Sequence, residues 1–295
     1  MKPLLTLLLA TAATLFTAVT AQAQAQTPAA APPAKPVQVL VGHPVAHGLA
    51  AQLAEGSGIT LARAAPANLP PARQLAYFEG RGAKALAQAA AQSDAVITLR
   101  SLWPQDPLYP LARRANIRIV EIDAARPIDG ALPGIALQPG ADLGSYPWLH
   151  PVNLGRMADI VAADLERLSP QAAPVLARNL AALKQQLVAL SGRTETALLA
   201  APNLTVVSLS PRLDYLASAF NLELVPGSTD AQALAALIRS EGVAAVLHHE
   251  ELAPELTQAV KGAGAAVVVL ATDGQQPVAD IDALAARLVE ALRPR

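Results

Sequence analysis

At 295 residues the chain has room for one large or two modest domains, and a composition of 53% hydrophobic and 15% charged residues is that of a globular protein. A formal net charge of −1 excludes the electrostatic footprint of a nucleic-acid binder or of a protein held on an anionic membrane surface. No cysteine is present, which excludes disulfides, thiolate zinc sites, iron–sulfur clusters, a cysteine nucleophile and a lipidated N-terminal cysteine.

The first 23 residues read as a secretory signal. Lys2 is the positive start, Leu4 to Val19 form the apolar stretch, and Ala21-Gln22-Ala23 is a small-x-small cleavage site. A membrane anchor is the alternative, disfavoured because the apolar run is short and a cleavage site follows it. Residues 24–36, built from Gln, Ala, Pro and Thr, read as a disordered lead-in. The mature protein is therefore expected to be soluble in a bacterial periplasm.

From Val37 short β-branched runs alternate with helical patterns. Strands are expected at Val37–Val41, Ile59–Ala62, Ala95–Leu99 and Ile117–Ile122. Helices are expected at Val45–Glu55, at Ala72–Ser93 with a break at Gly80-Arg81-Gly82, and at Pro107–Ala115. Residues 123–147 are rich in Gly and Pro and have no period. Two helices then follow without a strand between them. Leu154, Met157, Val161, Leu165 and Leu168 mark the first, and Leu176, Leu180, Leu183, Leu187 and Leu190 the second, with Gly192 as its stop. After Ala201-Pro202 the βα alternation resumes. Strands are expected at Leu204–Ser208, Leu222–Val225, Val243–Leu247 and Ala265–Leu270. Helices are expected around Leu213–Phe220, through Arg239 from a cap at Ser228 or Thr229, and at Pro254–Lys261 and Ile281–Leu292.

The pattern predicts an α/β protein of two four-stranded parallel βα lobes joined by a long helical connector. The lobes are placed at 37–168 and 200–295 and the connecting helix at 169–199. Ligands of such folds bind beyond the carboxyl ends of the strands, so a cleft between the lobes is the expected site.

The segment Gly144–Pro151 reads G-S-Y-P-W-L-H-P. With the helices after it, it resembles the D-P-H-x-W-L-D-P region of the solute-binding proteins of zinc and manganese ABC transporters; Trp148, Leu149 and Pro151 are kept. Val206–Leu222 looks like that family's strand leading into an aromatic-rich helix, and Val246–Pro254 like its strand ending in an acidic residue. The resemblance covers about residues 37–292 and implies two lobes that close on a transition metal ion, zinc or manganese. It further implies delivery to an ABC permease in the inner membrane, with no catalysis. Carried over one residue at a time, most of the family's ligands are missing. The first histidine has no counterpart in Leu69–Phe78, the second falls on Tyr146, the third on Ser210, the acidic position on His249, and the final aspartate near Ala271, two residues before Asp273.

Five histidines remain to coordinate a cation: His43, His47, His150, His248 and His249. His43 follows the first strand and His47 lies one turn further, while His248 and His249 follow the third strand of the second lobe. A rearranged site of His43, His47 and His249, with Glu250 or Asp273 as oxygen donor, is one expectation. The bland reading gives His43 to the Gly42–Pro44 turn, His47 to a helix surface, His150 to a helix cap, and makes one of His248 and His249 a bystander. Arg100 and Trp103, at a strand end, suit a small organic anion or a metal complex, unless Trp103 packs inward and Arg100 pairs with an acid. Tyr146, His150 and Ser210 complete the cleft candidates, and Trp148 is expected to anchor the connector.

No G-x-S-x-G, G-x-x-x-x-G-K-[ST] or H-E-x-x-H motif is present. The reading is a monomeric, non-enzymatic binder of a metal ion. Its alternatives are a binder of a metal complex or small organic anion, and a ligand-free envelope interaction protein.

Overall fold

A computed structural model describes residues 35–272 and 274–294. The expected signal segment, residues 24–34 of the lead-in, and Asp273 lie outside the described residues. Eight strands form two parallel sheets. β1 (Gln38–Val41), β2 (Thr60–Arg63), β3 (Ala95–Thr98) and β4 (Val120–Asp123) are ordered β2-β1-β3-β4. β5 (Thr205–Ser208), β6 (Glu223–Pro226), β7 (Ala245–His248) and β8 (Ala266–Val269) repeat that order as β6-β5-β7-β8. The register pairs Val39 with Leu61 and Ala95 in the first lobe, and Val206 with Leu224 and Ala245 in the second.

Parallel strands need crossovers, and helices supply them on both faces of each sheet. The N-lobe carries α1 (Pro44–Ala54), α2 (Gln74–Glu79), α3 (Ala83–Gln92) and α4 (Leu108–Ala115). The C-lobe carries α7 (Asp214–Ala219), α8 (Ala231–Glu241), α9 (Pro254–Gly262) and α10 (Pro277–Leu292). Covered on both faces, the central strands are continuous apolar runs: Val39, Leu40, Val96, Ile97, Val206, Val207, Val246 and Leu247 are all fully buried. The edge strands β2 and β6 are largely exposed.

Between the lobes run α5 (Pro151–Leu168) and α6 (Ala173–Leu198), packed on each other and parted at Ser169-Pro170. The leucine stripe turns inward as the spacing requires: Leu154, Met157, Val161, Leu165, Leu176, Leu183, Leu187 and Leu190 are buried. α6 spans about 39 Å at 1.5 Å per residue, long enough to lie against both α1 of the N-lobe and α10 of the C-lobe. One apolar core therefore runs through both lobes and the connector, from Val39 and Leu49 to Leu183 and Leu288.

Four local expectations need correction. The fourth strand starts at Val120, not Ile117, because Asn116 turns the chain there. Its Oδ1 accepts from Arg118 N at 3.1 Å, and Ile117 is left 75% exposed. Gly192 does not stop α6; Thr194 and Leu198 are buried and carry the helix onward, which outweighs the ~1 kcal/mol a helical glycine costs. α8 is capped by Asp230, whose side chain accepts from Ala233 N at 2.8 Å, not by Ser228 or Thr229. Finally, α10 begins one turn earlier than Ile281, with Pro277 in its first turn.

Candidate functional site

Beyond the carboxyl ends of β1 and β5, a stack of rings from the N-lobe side meets a guanidinium from the C-lobe, and this contact forms a seam. His43, just after β1, caps α1 with Nδ1 accepting from Val45 N at 3.3 Å. Its ring lies 5.0 Å from Trp148, edge on, and Trp148 lies 4.5 Å from Tyr146. Tyr146 holds a left-handed backbone (φ 48°) between two short 3-10 turns, and its ring packs on Trp148 of the buried Pro147-Trp148-Leu149. From the C-lobe, Arg212 places its guanidinium carbon 4.8 Å from the Tyr146 ring centre, and its Nη1 lies 3.4 Å from Thr272 Oγ1. Ser210, two residues before Arg212, is 2% exposed; its Oγ has no hydrogen-bond partner.

Buried beside Trp148, the His43 imidazole is held down at about 4, because burial disfavours its charged form. The unfolded state takes up this proton below about pH 6.5 and the folded state only near pH 4, so His43 favours folding above that window. Its contribution is lost as pH falls, amounting to about 3 kcal/mol by pH 4. Asp106, raised to about 6 by burial, acts in the opposite sense across pH 6 to 4, so the whole-protein curve mixes the two. A His43→Asn variant keeps a capping side chain without the titration. The stability advantage of the parent over it is expected to shrink by about 2 kcal/mol between pH 7 and pH 4.5, read by urea unfolding at each pH.

Of the five residues expected to form a metal site, Asp273 lies outside the described residues, and His43, His47, His249 and Glu250 form no ligand group among themselves. Among the described residues no group of three His, Asp or Glu side chains is placed to hold a metal ion. His43 is spent as a cap against Trp148. His47 points instead into a groove lined by Arg63 and Gln275, where burial and the Arg63 charge lower its pKa. His249, mostly buried, has Nε2 3.6 Å from Glu250 Oε1, and Glu250 is 74% exposed. The rings of His248 and His249 lie 4.6 Å apart on the same side, since strand alternation ends at His248. His248 Nδ1 is held by the backbone of Glu250, accepting from its N at 3.1 Å.

The other candidates separate in the same way. His150 caps α5, with Nδ1 accepting from Val152 N at 3.2 Å, and Trp148 is buried in the core shared by α5 and the N-lobe. Arg100 pairs with Glu121 at 3.1 Å inside the N-lobe, and Trp103 is half-buried in the same loop. Carboxylates pin that loop. Asp123 accepts from Ser101 N at 2.6 Å and Asp106 from Leu108 N at 3.0 Å, and burial raises the pKa of both. The sequence reading missed Arg212 and Asn153. The signal for Arg212 was present in Ser210-Pro211-Arg212: a cation set directly beyond a buried strand.

Two like parallel-sheet lobes and a helical connector define the class, a bilobal α/β protein. Over residues 145–284 the chain matches the family model described as ZnuA, zinc-uptake complex component A, periplasmic. The fold matches a zinc-bound ZnuA deletion mutant at TM-score 0.66 and 19% identity, over 88% of this chain and 100% of that one. It matches an FpvC mutant from Pseudomonas aeruginosa at 0.66 and 16% identity, over 87% and 99%. Zn(II)-bound AdcA from Streptococcus pneumoniae matches at 0.63 and 16%, over 88% of this chain and 58% of that one. No curated protein matches the chain in sequence. The resemblance seen at Gly144–Pro151 is thus met by a family model that begins at residue 145 and by solved structures of the same fold. No helix among the described residues is long and apolar enough to cross a membrane.

Proposed function

We propose that this chain is the solute-binding component of an ABC importer. It works as a soluble periplasmic monomer after signal cleavage and passes its cargo to an inner-membrane permease, without catalysis. The cargo is assigned to the transition metals, zinc first. The observation that carries this reading is the family-model match over residues 145–284, which takes in the Tyr146 segment, the connector and the C-lobe strand ends.

The Arg212 guanidinium over Tyr146 favours a second form of the cargo. A guanidinium is a donor suited to carboxylate and other anionic oxygens, so that form is a metal carried in an anionic complex, or a small organic anion. The test is to strip the mature protein with chelator and offer zinc, manganese, copper, nickel and iron, each bare and as its citrate complex. One retained equivalent with a matching rise in Tm supports the function. Retention only from the complex selects the second form. Retention of neither overturns the metal assignment.

A further inference from the structure

A groove of about 810 Å³ lies where α1, α6 and α10 meet, apart from the Tyr146–Arg212 contact. Both lobes and the connector wall it. Arg63 and His47 come from the N-lobe, Gln186 and Arg193 from the connector, and Gln275 and Asp282 from the C-lobe. Its chemistry is uneven in a telling way. Arg193 is already paired with Asp282 at 2.9 Å. Arg63 donates to a neutral amide, Gln275 Oε1, at 2.8 Å and thereby links the two lobes. Glu55, on the same wall, is eight residues from His47, about 12 Å along α1. Among the described residues no carboxylate pairs with the Arg63 guanidinium at its end of the groove. Around it stand the side-chain amides of Gln52, Gln186, Gln275 and Gln276, each able to donate and accept. Ala51, Ala189, Leu190 and Val278 supply an apolar floor.

We propose that this groove is a binding site for a small polyhydroxylated carboxylate of the sugar-acid type. Its carboxylate would sit on Arg63, its hydroxyls on the glutamine amides, and its C–H face on the alanine and leucine floor. Guanidinium forks match carboxylates, and paired donor–acceptor amides match hydroxyls, which also donate and accept. The volume lies in the range of ordinary small-molecule sites, and an occupant would bridge both lobes. Gly48 belongs to the same wall because a Cβ there would overlap the Gln275 carbonyl oxygen; only glycine lets the lobes touch here.

The test is calorimetric titration of the metal-stripped full chain with galacturonate and gluconate, with neutral galactose as the uncharged probe. Saturable binding of either acid is expected, at least 10-fold tighter than galactose. Arg63→Gln should weaken it at least 10-fold. Gln186→Glu, which leaves the Arg63–Gln275 bridge intact, should do the same by placing a like charge in the groove. Arg212→Gln should leave it unchanged. No saturable binding of either acid, equal binding of galactose, or loss on Arg212→Gln with none on Arg63→Gln would each overturn the assignment.

Discussion

Asn153→Ala is expected to cost the protein about 3 kcal/mol of stability and to loosen the candidate site with it. Asn153 is 2% exposed, in the first turn of α5. Its Oδ1 accepts from Ala136 N at 2.8 Å, while its Nδ2 donates to Ala136 O at 2.9 Å and to Pro147 O at 3.0 Å. One side chain thus replaces the ladder partners that the aperiodic 123–147 segment lacks, and it holds Pro147 one residue from Tyr146. Alanine leaves the Ala136 N–H and C=O without these partners, while Pro147 O keeps its bond from His150 N at 3.3 Å. Each such orphan costs about 1–3 kcal/mol, offset in part as the segment relaxes towards solvent. Urea unfolding of the parent and the variant measures the loss. A difference under 1 kcal/mol would mean that the segment is held by its apolar contacts alone. Cargo affinity should fall in parallel, because Asn153 holds Pro147 directly after the left-handed turn at Tyr146.

The fold was legible because its signals are periodic and local. β-branched runs alternating with helical stripes, interrupted once by two leucine-striped helices, predict two βα lobes and a connector. Strand starts and caps were the weak points, for a physical reason. Asn116, Asp230 and Pro277 each fix a boundary through a side-chain hydrogen bond or a fixed φ that hydrophobic period does not see. The site was less legible. Histidines stand out in a sequence with only five of them, yet two are spent capping helices, His43 on α1 and His150 on α5. Capping with an imidazole Nδ1 is not a pattern that composition reveals. His47 sits a single turn from His43 but points into a different space, because the cap draws the His43 ring onto Trp148. Arg212 carries no family label, and only the fold brings it over Tyr146.

Restoring imidazole where the family resemblance places it should convert the seam into a cation site. The triple variant Tyr146→His, Ser210→His, Arg212→Ala is expected to bind zinc at least 100-fold more tightly than the parent. Tyr146 and Arg212 lie against each other, and Ser210 is two residues away on the same strand-end turn. Truncation at 212 removes the side chain that lies over residue 146, and two imidazoles add ligands that zinc favours. The exchange is also feasible sterically. Histidine tolerates the left-handed conformation of residue 146 better than most side chains. Competition with a zinc chelator gives the affinities of the parent, Arg212→Ala alone and the triple variant. A gain shared equally by the single variant assigns the whole barrier to the Arg212 side chain. A stepwise gain assigns part of it to the missing ligands. With no gain in either, positions 146 and 210 do not face a common seat, and the seam is a packed contact between lobes whose cargo binds elsewhere.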